Sequence, residues 1–202
     1  MQRPTVGIIG DQLTTTAVRA AGGEPLTGSP TDIVAADPDA VVAVGDTGLS
    51  AAANVGIEAT VVPVDAGHSV QSVDREAVEA ALTAVIEQRH ETVELPVATA
   101  RTPLGESRAL MEFMLVTGEP ARISEYTVVS RTERVATFRA DGVVVATPVG
   151  SSGYTRRADG PVVAPGVDAF AVVPVDAGHS VQSVDREAVE VAVVPESGDR
   201  FR

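Results

Sequence analysis

The hydrophobic pattern of this 202-residue chain changes between residues 90 and 100, and the change constrains the fold more than any other feature. Before it, short apolar runs that favour buried strands alternate with segments whose apolar residues recur at helical spacing. Beyond it, short strands follow one another between turns. Alternating strands and helices are typical of a parallel sheet covered by helices. We therefore predict an α/β domain over residues 1–95, followed by a β-rich domain over residues 96–202.

The first half contains three apolar runs that predict buried strands, at residues 5–10, 40–44 and 59–64. Helices are predicted from Asp11 to about Ala21, from about Leu49 to Val55 and from Asp74 to about Arg89. Asp11 and Asp74 are expected to cap the helices that they precede. A connection that contains proline and glycine is expected between the first helix and the second strand.

Composition excludes several classes of function. The net charge is −13, and all 15 basic residues are arginine, so no basic run is present that could neutralise the phosphates of a nucleic acid. The absence of lysine excludes the Walker P-loop, and the absence of cysteine excludes disulfides and thiolate metal sites. No apolar run approaches the length of a membrane span, and no signal peptide is evident. We expect a cytoplasmic protein, and its acidic, lysine-free composition resembles that of proteins from salt-loving archaea.

A glycine-containing turn, Gly45-Asp46-Thr47-Gly48, lies between the second predicted strand and the helix after it. Backbone N–H groups at such a turn, together with the helix dipole, favour a phosphate. A carboxylate there can contact Mg²⁺ or accept a proton from an attacking hydroxyl. The alternative is an ordinary aspartate in a strand–helix turn.

The stretch from Asp141 to Pro165 combines a buried-strand pattern with a loop of small residues. Gly150, Ser151, Ser152 and Gly153 would let a ligand approach the backbone, and Tyr154 offers a flat face to a ring. The alternative is a serine- and glycine-rich hairpin loop without a ligand.

The order of residues in this stretch resembles the signature of the NAD kinase family. In that family, a strand ending Ala-Thr-Pro leads into Gly-Ser-Thr-Ala-Tyr and then Ser-Ala-Gly-Gly-Pro. The matching residues here are Asp141, Gly142, Ala146, Thr147, Pro148, Gly150, Ser151, Tyr154, Ala158, Gly160 and Pro161. Ser152, Gly153, Arg157 and Asp159 differ from the signature.

The resemblance implies transfer of a phosphoryl group from ATP, or polyphosphate, to the adenosine ribose 2′-hydroxyl of NAD, with Mg²⁺ or another divalent cation. It implies an α/β domain followed by a β-rich domain, and a homo-oligomer. Asp46 would be the catalytic carboxylate, with Gly45, Thr47 and Gly48 at the phosphates. The residues that would bind NAD are Asp65, Ser124, Glu125, Gly150, Ser151, Ser152 and Tyr154. No dedicated set of metal ligands is visible.

Four departures from the family pattern support a second hypothesis about the function. Val44 replaces a glycine, and Thr47-Gly48 inverts the usual Gly-Thr order. Asp65 and Ser124 stand where the family has asparagine. The alternative is a degenerate family member that binds a nucleotide as a non-catalytic sensor or regulatory protein.

One segment, VVPVDAGHSVQSVDREAVE, occurs unchanged at residues 61–79 and 172–190. We expect it to form a strand and the start of a helix in the first copy. A different structure is expected in the second copy, because tertiary context can override intrinsic propensity.

Overall fold

The computed structural model describes residues 3–11, 14–67, 70–103, 105–116, 123–130, 132–175, 182–185 and 189–194. The chain divides into two compact units, residues 1–94 and 95–202. We predict that the first domain, residues 1–95, carries the phosphate turn with Asp46 and that the second, residues 96–202, binds the dinucleotide, and both roles stay predictions. None of the described helices is both long enough and apolar enough to cross a membrane.

The first unit is built on a sheet of four parallel strands in the order β2-β1-β3-β4. Parallel pairing requires crossover connections, and helices supply them here. In chain order the elements are β1 (Thr5–Ile9), α1 (Thr15–Ala20), β2 (Glu24–Thr27), α2 (Pro30–Ala35), β3 (Ala40–Val44), α3 (Gly45–Val55), β4 (Thr60–Val64), a 3₁₀ turn (Arg75–Ala77) and α4 (Val78–Ile86).

Valine dominates the core of the first unit. One cluster joins the sheet to the helices that cover it and consists of Val6, Ile8, Val18, Val42, Val62, Val64, Val78 and Leu82, all at most 5% exposed. Val78 and Leu82 of α4 are spaced four residues apart, and both are fully buried. Ala81 and Val85 pack against the same cluster, so one face of α4 covers the sheet.

Some predicted elements of this unit were wrong. The stretch that was expected to be a connection contains β2 and α2. A capping box formed by Ser29 and Asp32 lies at the start of α2. The Ser29 hydroxyl, and then its backbone N–H, hold the pKa of Asp32 below its ordinary value. α1 begins at Thr15 rather than directly after Asp11. Asp74 precedes the 3₁₀ turn without a side-chain capping bond among the described residues.

In the described part of the second unit, most elements are antiparallel strands, and a 3₁₀ turn (Gly150–Ser152) lies between β10 and α5. Its elements are β5 (Ala98–Thr102), β6 (Gly105–Ala109), β7 (Glu112–Val116), β8 (Ser124–Ser130), β9 (Glu133–Ala140), β10 (Gly142–Ala146), α5 (Tyr154–Arg157), β11 (Ala169–Val175), β12 (Gln182–Asp185) and β13 (Val189–Val194). The sheets have the strand orders β12-β11-β10-β7, β13-β8-β9 and β5-β6. The predicted fold class, an α/β half followed by a β-rich half, is confirmed.

Strand β10 lies at the centre of this unit, and all five of its residues are buried. Val143 and Val145 pack in a cluster with the β8 and β9 residues Tyr126 and Phe138, whose rings stack. Val144 and Ala146 pack on the opposite face with Val163 and Ala171. Burial on both faces explains the continuous apolar run in the sequence. The residues that follow Ala146 therefore continue from a strand that is buried on both faces.

Candidate functional site

Three aspartates follow the carboxyl ends of neighbouring parallel strands. Asp11 comes after β1, Asp46 after β3 and Asp65 after β4. The carboxyl ends of parallel strands meet at one edge of a sheet, and ligands of open α/β sheets bind at that edge. The structure thus brings the predicted residues Asp46 and Asp65 to the same edge, where Asp11 joins them.

Asp46 is exposed, and a neighbouring loop holds its carboxylate in place. The backbone N–H of Gly67 donates to Asp46 Oδ1 at 2.6 Å. A Cβ atom at position 67 would lie 3.0 Å from both carboxylate oxygens, so glycine allows the close approach of this loop. Asp46 also lies in the first turn of α3, where the helix dipole favours a negative charge. The hydrogen bond from Gly67 therefore fixes the orientation of the carboxylate.

The predicted phosphate turn is instead the first turn of α3, because the helix begins at Gly45 and not near Leu49. Gly45 has a φ of +68°, which suits glycine. Thr47 does not have a positive φ, so the inverted Thr-Gly order imposes no backbone strain. Gly48 is buried, and a Cβ there would lie 2.8 Å from the Ile9 carbonyl oxygen. Gly48 thus lets α3 pack closely against β1.

Arg75 ties the ends of β1 and β4 together. Its guanidinium donates to Asp11 Oδ2 at 2.5 Å and to Asp65 Oδ2 at 3.1 Å. The hydrogen bonds to Asp11 and then to Asp65 raise the pKa of Arg75 above its ordinary value. Asp65 has a φ of +47°, a left-handed conformation that aspartate tolerates better than most residues. The predicted NAD-binding carboxylate of Asp65 is therefore engaged with an arginine.

No group of three or more His, Cys, Asp or Glu side chains that could hold a metal ion occurs within the described part of the chain. Mg²⁺ is commonly bound through one or two carboxylates together with substrate phosphates, rather than by an all-protein cage. The exposed carboxylate of Asp46 fits that mode of binding.

In the second unit, the stretch after β10 is fastened to the turn between β6 and β7. Thr147 is fully buried, and its hydroxyl donates to the Leu110 carbonyl oxygen at 2.6 Å. The Thr147 backbone N–H donates to the Met111 carbonyl oxygen at 2.9 Å. The hydroxyl also accepts from the Gly150 N–H at 3.2 Å. The threonine of the signature therefore anchors the loop that follows it.

Gly150 and Ser151 stabilise this loop through a close backbone contact and through hydrogen bonds. A Cβ at position 150 would lie 1.9 Å from the Met111 carbonyl oxygen, so only glycine fits there. Ser151 is fully buried; its hydroxyl donates to the Pro148 carbonyl oxygen at 2.7 Å and accepts from the Val163 N–H at 2.8 Å. Of the predicted ligand contacts in this loop, Ser152 is half-buried and Tyr154 is 36% exposed.

Glu112, the first residue of β7, was missed from the sequence. Its Oε1 accepts from the Tyr154 N–H at 3.1 Å. Its Oε2 accepts from the Thr155 N–H at 3.2 Å and from the Thr155 hydroxyl at 2.9 Å. The sequence feature that could have indicated a role for Glu112 is its position between Met111 and Phe113, as an acidic residue at the start of an apolar run.

Ser124 and Glu125 begin β8, in a different sheet from the one that contains β10. Ser124 is 9% exposed, and Glu125 lies opposite Arg139 of β9 in the strand register. Opposite charges facing each other across strands favour pairing. Within the first unit the structure brings Asp46 and Asp65 to one sheet edge, and within the second unit Gly150, Ser151, Ser152 and Tyr154 lie in one loop. A ligand role for Ser124 and Glu125 stays a prediction.

A family model of the ATP-NAD kinase C-terminal domain matches residues 110–186. This range includes both the signature loop and Glu112. A bifunctional NADP phosphatase/NAD kinase of Methanocaldococcus jannaschii is 43% identical over 67 residues, which cover 33% of this chain and 12% of that protein. An NAD kinase of Clostridium perfringens is 39% identical over 70 residues, which cover 35% of this chain and 25% of the relative.

A longer alignment extends across both units. An NAD kinase of Leifsonia xyli is 32% identical over 156 residues, which cover 72% of this chain and 51% of the relative. The chain therefore spans about half, or less, of the length of these curated relatives.

Two solved structures share the fold. An NAD kinase from Archaeoglobus fulgidus in complex with ATP superposes with a TM-score of 0.72 at 21% identity, covering 98% of this chain and 85% of the other. Yeast NADH kinase complexed with NADH gives a TM-score of 0.77 at 16% identity, covering 98% and 71%. The family model, the relatives and the residues of the signature loop together show that this chain belongs to the NAD kinase family.

Proposed function

We propose that this protein is an NAD kinase, which transfers a phosphoryl group from ATP or polyphosphate to the adenosine ribose 2′-hydroxyl of NAD and produces NADP. The observation that supports this most strongly is the position of Asp46. Its exposed carboxylate is held by the Gly67 N–H at the carboxyl edge of a parallel sheet. It lies there in a chain whose C-terminal half matches the ATP-NAD kinase C-terminal domain.

Asp46 acts as the general base in this proposal. Phosphoryl transfer depends on positioning, on charge neutralisation and on a carboxylate near the attacking hydroxyl. Asp46 accepts the proton of the ribose hydroxyl as that oxygen attacks the terminal phosphorus of the donor. The bond from this phosphorus to the bridging oxygen breaks, and ADP, or polyphosphate shortened by one phosphate, leaves. The Gly67 N–H fixes the orientation of the carboxylate. Gly45 and Thr47 present backbone N–H groups at the start of α3 to a phosphate, and Gly48 keeps the helix close to β1.

The dinucleotide contacts of the proposal come from the loop after β10 and from three further residues. Ser152 and Tyr154 offer a hydroxyl and an aromatic face, while Gly150 and Ser151 hold the loop in shape. Asp65, Ser124 and Glu125 complete the proposed NAD-binding set. A divalent cation such as Mg²⁺ would neutralise charge on the transferred phosphate, and Asp46 is the residue that fits as its carboxylate contact.

Three expectations about the whole protein accompany the proposal. We expect a homo-oligomer that works in the cytoplasm and does not bind nucleic acid. We also expect solubility in concentrated salt, because the net charge is −13 and every basic residue is arginine.

The second candidate function is a nucleotide sensor without kinase activity. The engagement of Asp65 by Arg75 favours it, because that carboxylate is already paired. Ser124 in place of asparagine also favours it, since the hydroxyl is shorter than an amide. Two observations favour the kinase instead: the backbone of Thr47 does not have a positive φ, and the Asp46 side chain is exposed.

An assay of NADP formation separates the two candidates. Purified protein in concentrated KCl is incubated with NAD, Mg²⁺ and either ATP or polyphosphate, and NADP is measured with an NADP-specific dehydrogenase. NADP formation with either donor is the expected result. A folded protein that binds NAD and forms no NADP would support the sensor. A folded protein that neither binds NAD nor forms NADP would contradict both candidates.

A further inference from the structure

Arg75 bridges the ends of two strands that are not neighbours in the sheet. In the order β2-β1-β3-β4, strand β3 lies between β1 and β4. The guanidinium donates to Asp11, which follows β1, and to Asp65, which follows β4. Because neighbouring strands lie about 4.8 Å apart, such a bridge reaches across the carboxyl end of β3. That end leads directly into Asp46 and α3.

A loop that runs from Asp65 to Val73 follows β4, and we call it the β4 loop. The Asp65 N–H donates to the Val73 carbonyl oxygen at 3.0 Å, and the Val73 N–H donates to the Pro63 carbonyl oxygen at 2.8 Å. These two bonds close the base of the loop. Gly67, two residues after Asp65, is the residue of this loop that donates to the Asp46 carboxylate. The position of the Asp65 end therefore sets how the Gly67 N–H meets that carboxylate.

The backbone of Asp65 needs support from its surroundings. Its φ of +47° lies in the left-handed region, which residues other than glycine rarely occupy. Such a conformation persists where surrounding contacts hold it in place. Arg75 supplies one of these contacts, because its Nε donates to Asp65 Oδ2 at 3.1 Å. Since Arg75 follows Val73 by two residues, one short segment both closes the base of the β4 loop and holds its first side chain.

We propose that Arg75 is a positioning residue for phosphoryl transfer, which holds the β4 loop so that the Gly67 N–H orients the Asp46 carboxylate. This inference rests on the proposed role of Asp46 as the general base. A general base works only within hydrogen-bond reach of the proton that it accepts, and a small displacement of a reacting group lowers the rate strongly. Arg75 therefore acts on the rate through Asp46.

The main test is Arg75→Gln, which removes both the charge and the forked set of donors. Arg89→Gln is the matched control, because Arg89 is an exposed arginine of the same unit that pairs with Glu87. Exposed ion pairs contribute little to global stability, so both variants should fold, and their melting temperatures check this. Arg75→Lys keeps the charge without the fork, and the same comparisons are made with it if Arg75→Gln does not fold.

Two measurements follow the loop and the reaction separately. Amide hydrogen exchange of Gly67 is followed by NMR, and kcat and the KM for NAD come from the formation of NADP. For Arg75→Gln we expect the Gly67 amide to exchange about fivefold faster and kcat to fall by about tenfold, while the KM for NAD stays within about threefold of the parent value. Arg75→Lys should lie between Arg75→Gln and the parent, and Arg89→Gln should change none of these quantities.

A double variant shows whether Arg75 acts through Asp46. Asp46→Asn has already lost the base, so adding Arg75→Gln should lower kcat by less than about twofold more. An independent effect of Arg75, such as a general loss of order or of positive charge, would lower kcat by the same factor in both backgrounds.

Three results would overturn the inference. One is an unchanged kcat in Arg75→Gln, and another is unchanged exchange of the Gly67 amide. The third is a double variant in which the two single losses of rate multiply. If the parent forms NADP, each of these leaves the proposed kinase standing. A parent protein that forms no NADP would contradict the kinase and, with it, the role of Arg75 in phosphoryl transfer.

Discussion

The two copies of the repeated segment begin alike and end differently. In the first copy, Val61–Val64 lie in β4, and Val78 and Glu79 begin α4. In the second, Val172–Val175 lie in β11, and Val189 and Glu190 begin β13. Identical residues are therefore helical in one unit and extended in the other. The difference teaches that the residues around a short segment decide its structure when its own preferences are weak.

The first residues of the repeated segment form a strand in both copies. Each copy opens with a valine-rich run containing a proline, Pro63 or Pro174. Among the described residues, β4 is the edge strand of its sheet, and β12 pairs only with Ala169–Val172 of β11. Each proline therefore has a full strand partner on one side only, which is where a sheet tolerates proline.

The residues downstream explain the divergent ends. The first copy continues as Ala80-Ala81-Leu82-Thr83, and the second as Val191-Ala192-Val193-Val194. Alanine and leucine favour helices, whereas β-branched residues favour strands. Tertiary contacts act in the same direction, because Leu82 is fully buried in the first unit and β13 pairs with β8 in the second.

Giving the first copy the downstream residues of the second should produce the largest effect. The triple variant Ala80→Val, Leu82→Val, Thr83→Val weakens α4 through lower helix propensity and a cavity at the buried Leu82 site. We expect a loss of roughly 2–3 kcal/mol in the free energy of unfolding of the first unit. Urea unfolding followed by circular dichroism measures it.

Ala80→Val alone is the control, because Ala80 is exposed. We expect it to cost no more than about 0.5 kcal/mol. A triple variant as stable as the parent protein would show that the downstream residues do not determine the helix.

Substitutions at equivalent positions of the two copies test the comparison further, and we expect smaller losses of stability from them. Val172 is fully buried, whereas its counterpart Val61 is half-buried, so Val172→Thr should cost about 2 kcal/mol and Val61→Thr about 0.5 kcal/mol. The order reverses three positions later, because Val64 is fully buried and Val175 is half-buried. Val64→Ala should therefore cost about 2 kcal/mol, and Val175→Ala less than half of that. Losses in urea unfolding that are equal between counterparts would contradict the assigned burial.

Sequence patterns were most informative where burial was continuous. The run at residues 40–44 predicted β3 with the bounds that it has, and the run after Asp141 predicted β10. Both strands are short, apolar and bounded by turn residues. By contrast, β2 has the sequence Glu-Pro-Leu-Thr, which lacks any alternation, and α2 is only six residues long. The start of α3 was missed because its two glycines are typical of a turn.

The candidate site shows a similar limit. The order of residues in the signature loop pointed to a ligand site but could not show that the Ser151 hydroxyl is used by Pro148 and Val163. Glu112 reaches Tyr154 over a sequence separation of 42 residues, and Gly67 reaches Asp46 over 21. Such contacts depend on how strands are paired, which local patterns do not encode. The ligand roles of Asp65, Ser124 and Glu125 stay predictions.

The most direct test of the proposed function is the rate of NADP formation by Asp46→Asn at saturating NAD and ATP. The amide keeps an oxygen that can accept from the Gly67 N–H but cannot act as a base. We expect kcat to fall by about a hundredfold or more, while the Kd for NAD stays within about threefold of the parent value. An Asp46→Asn protein that forms NADP at the parent rate would contradict the central role given to this carboxylate.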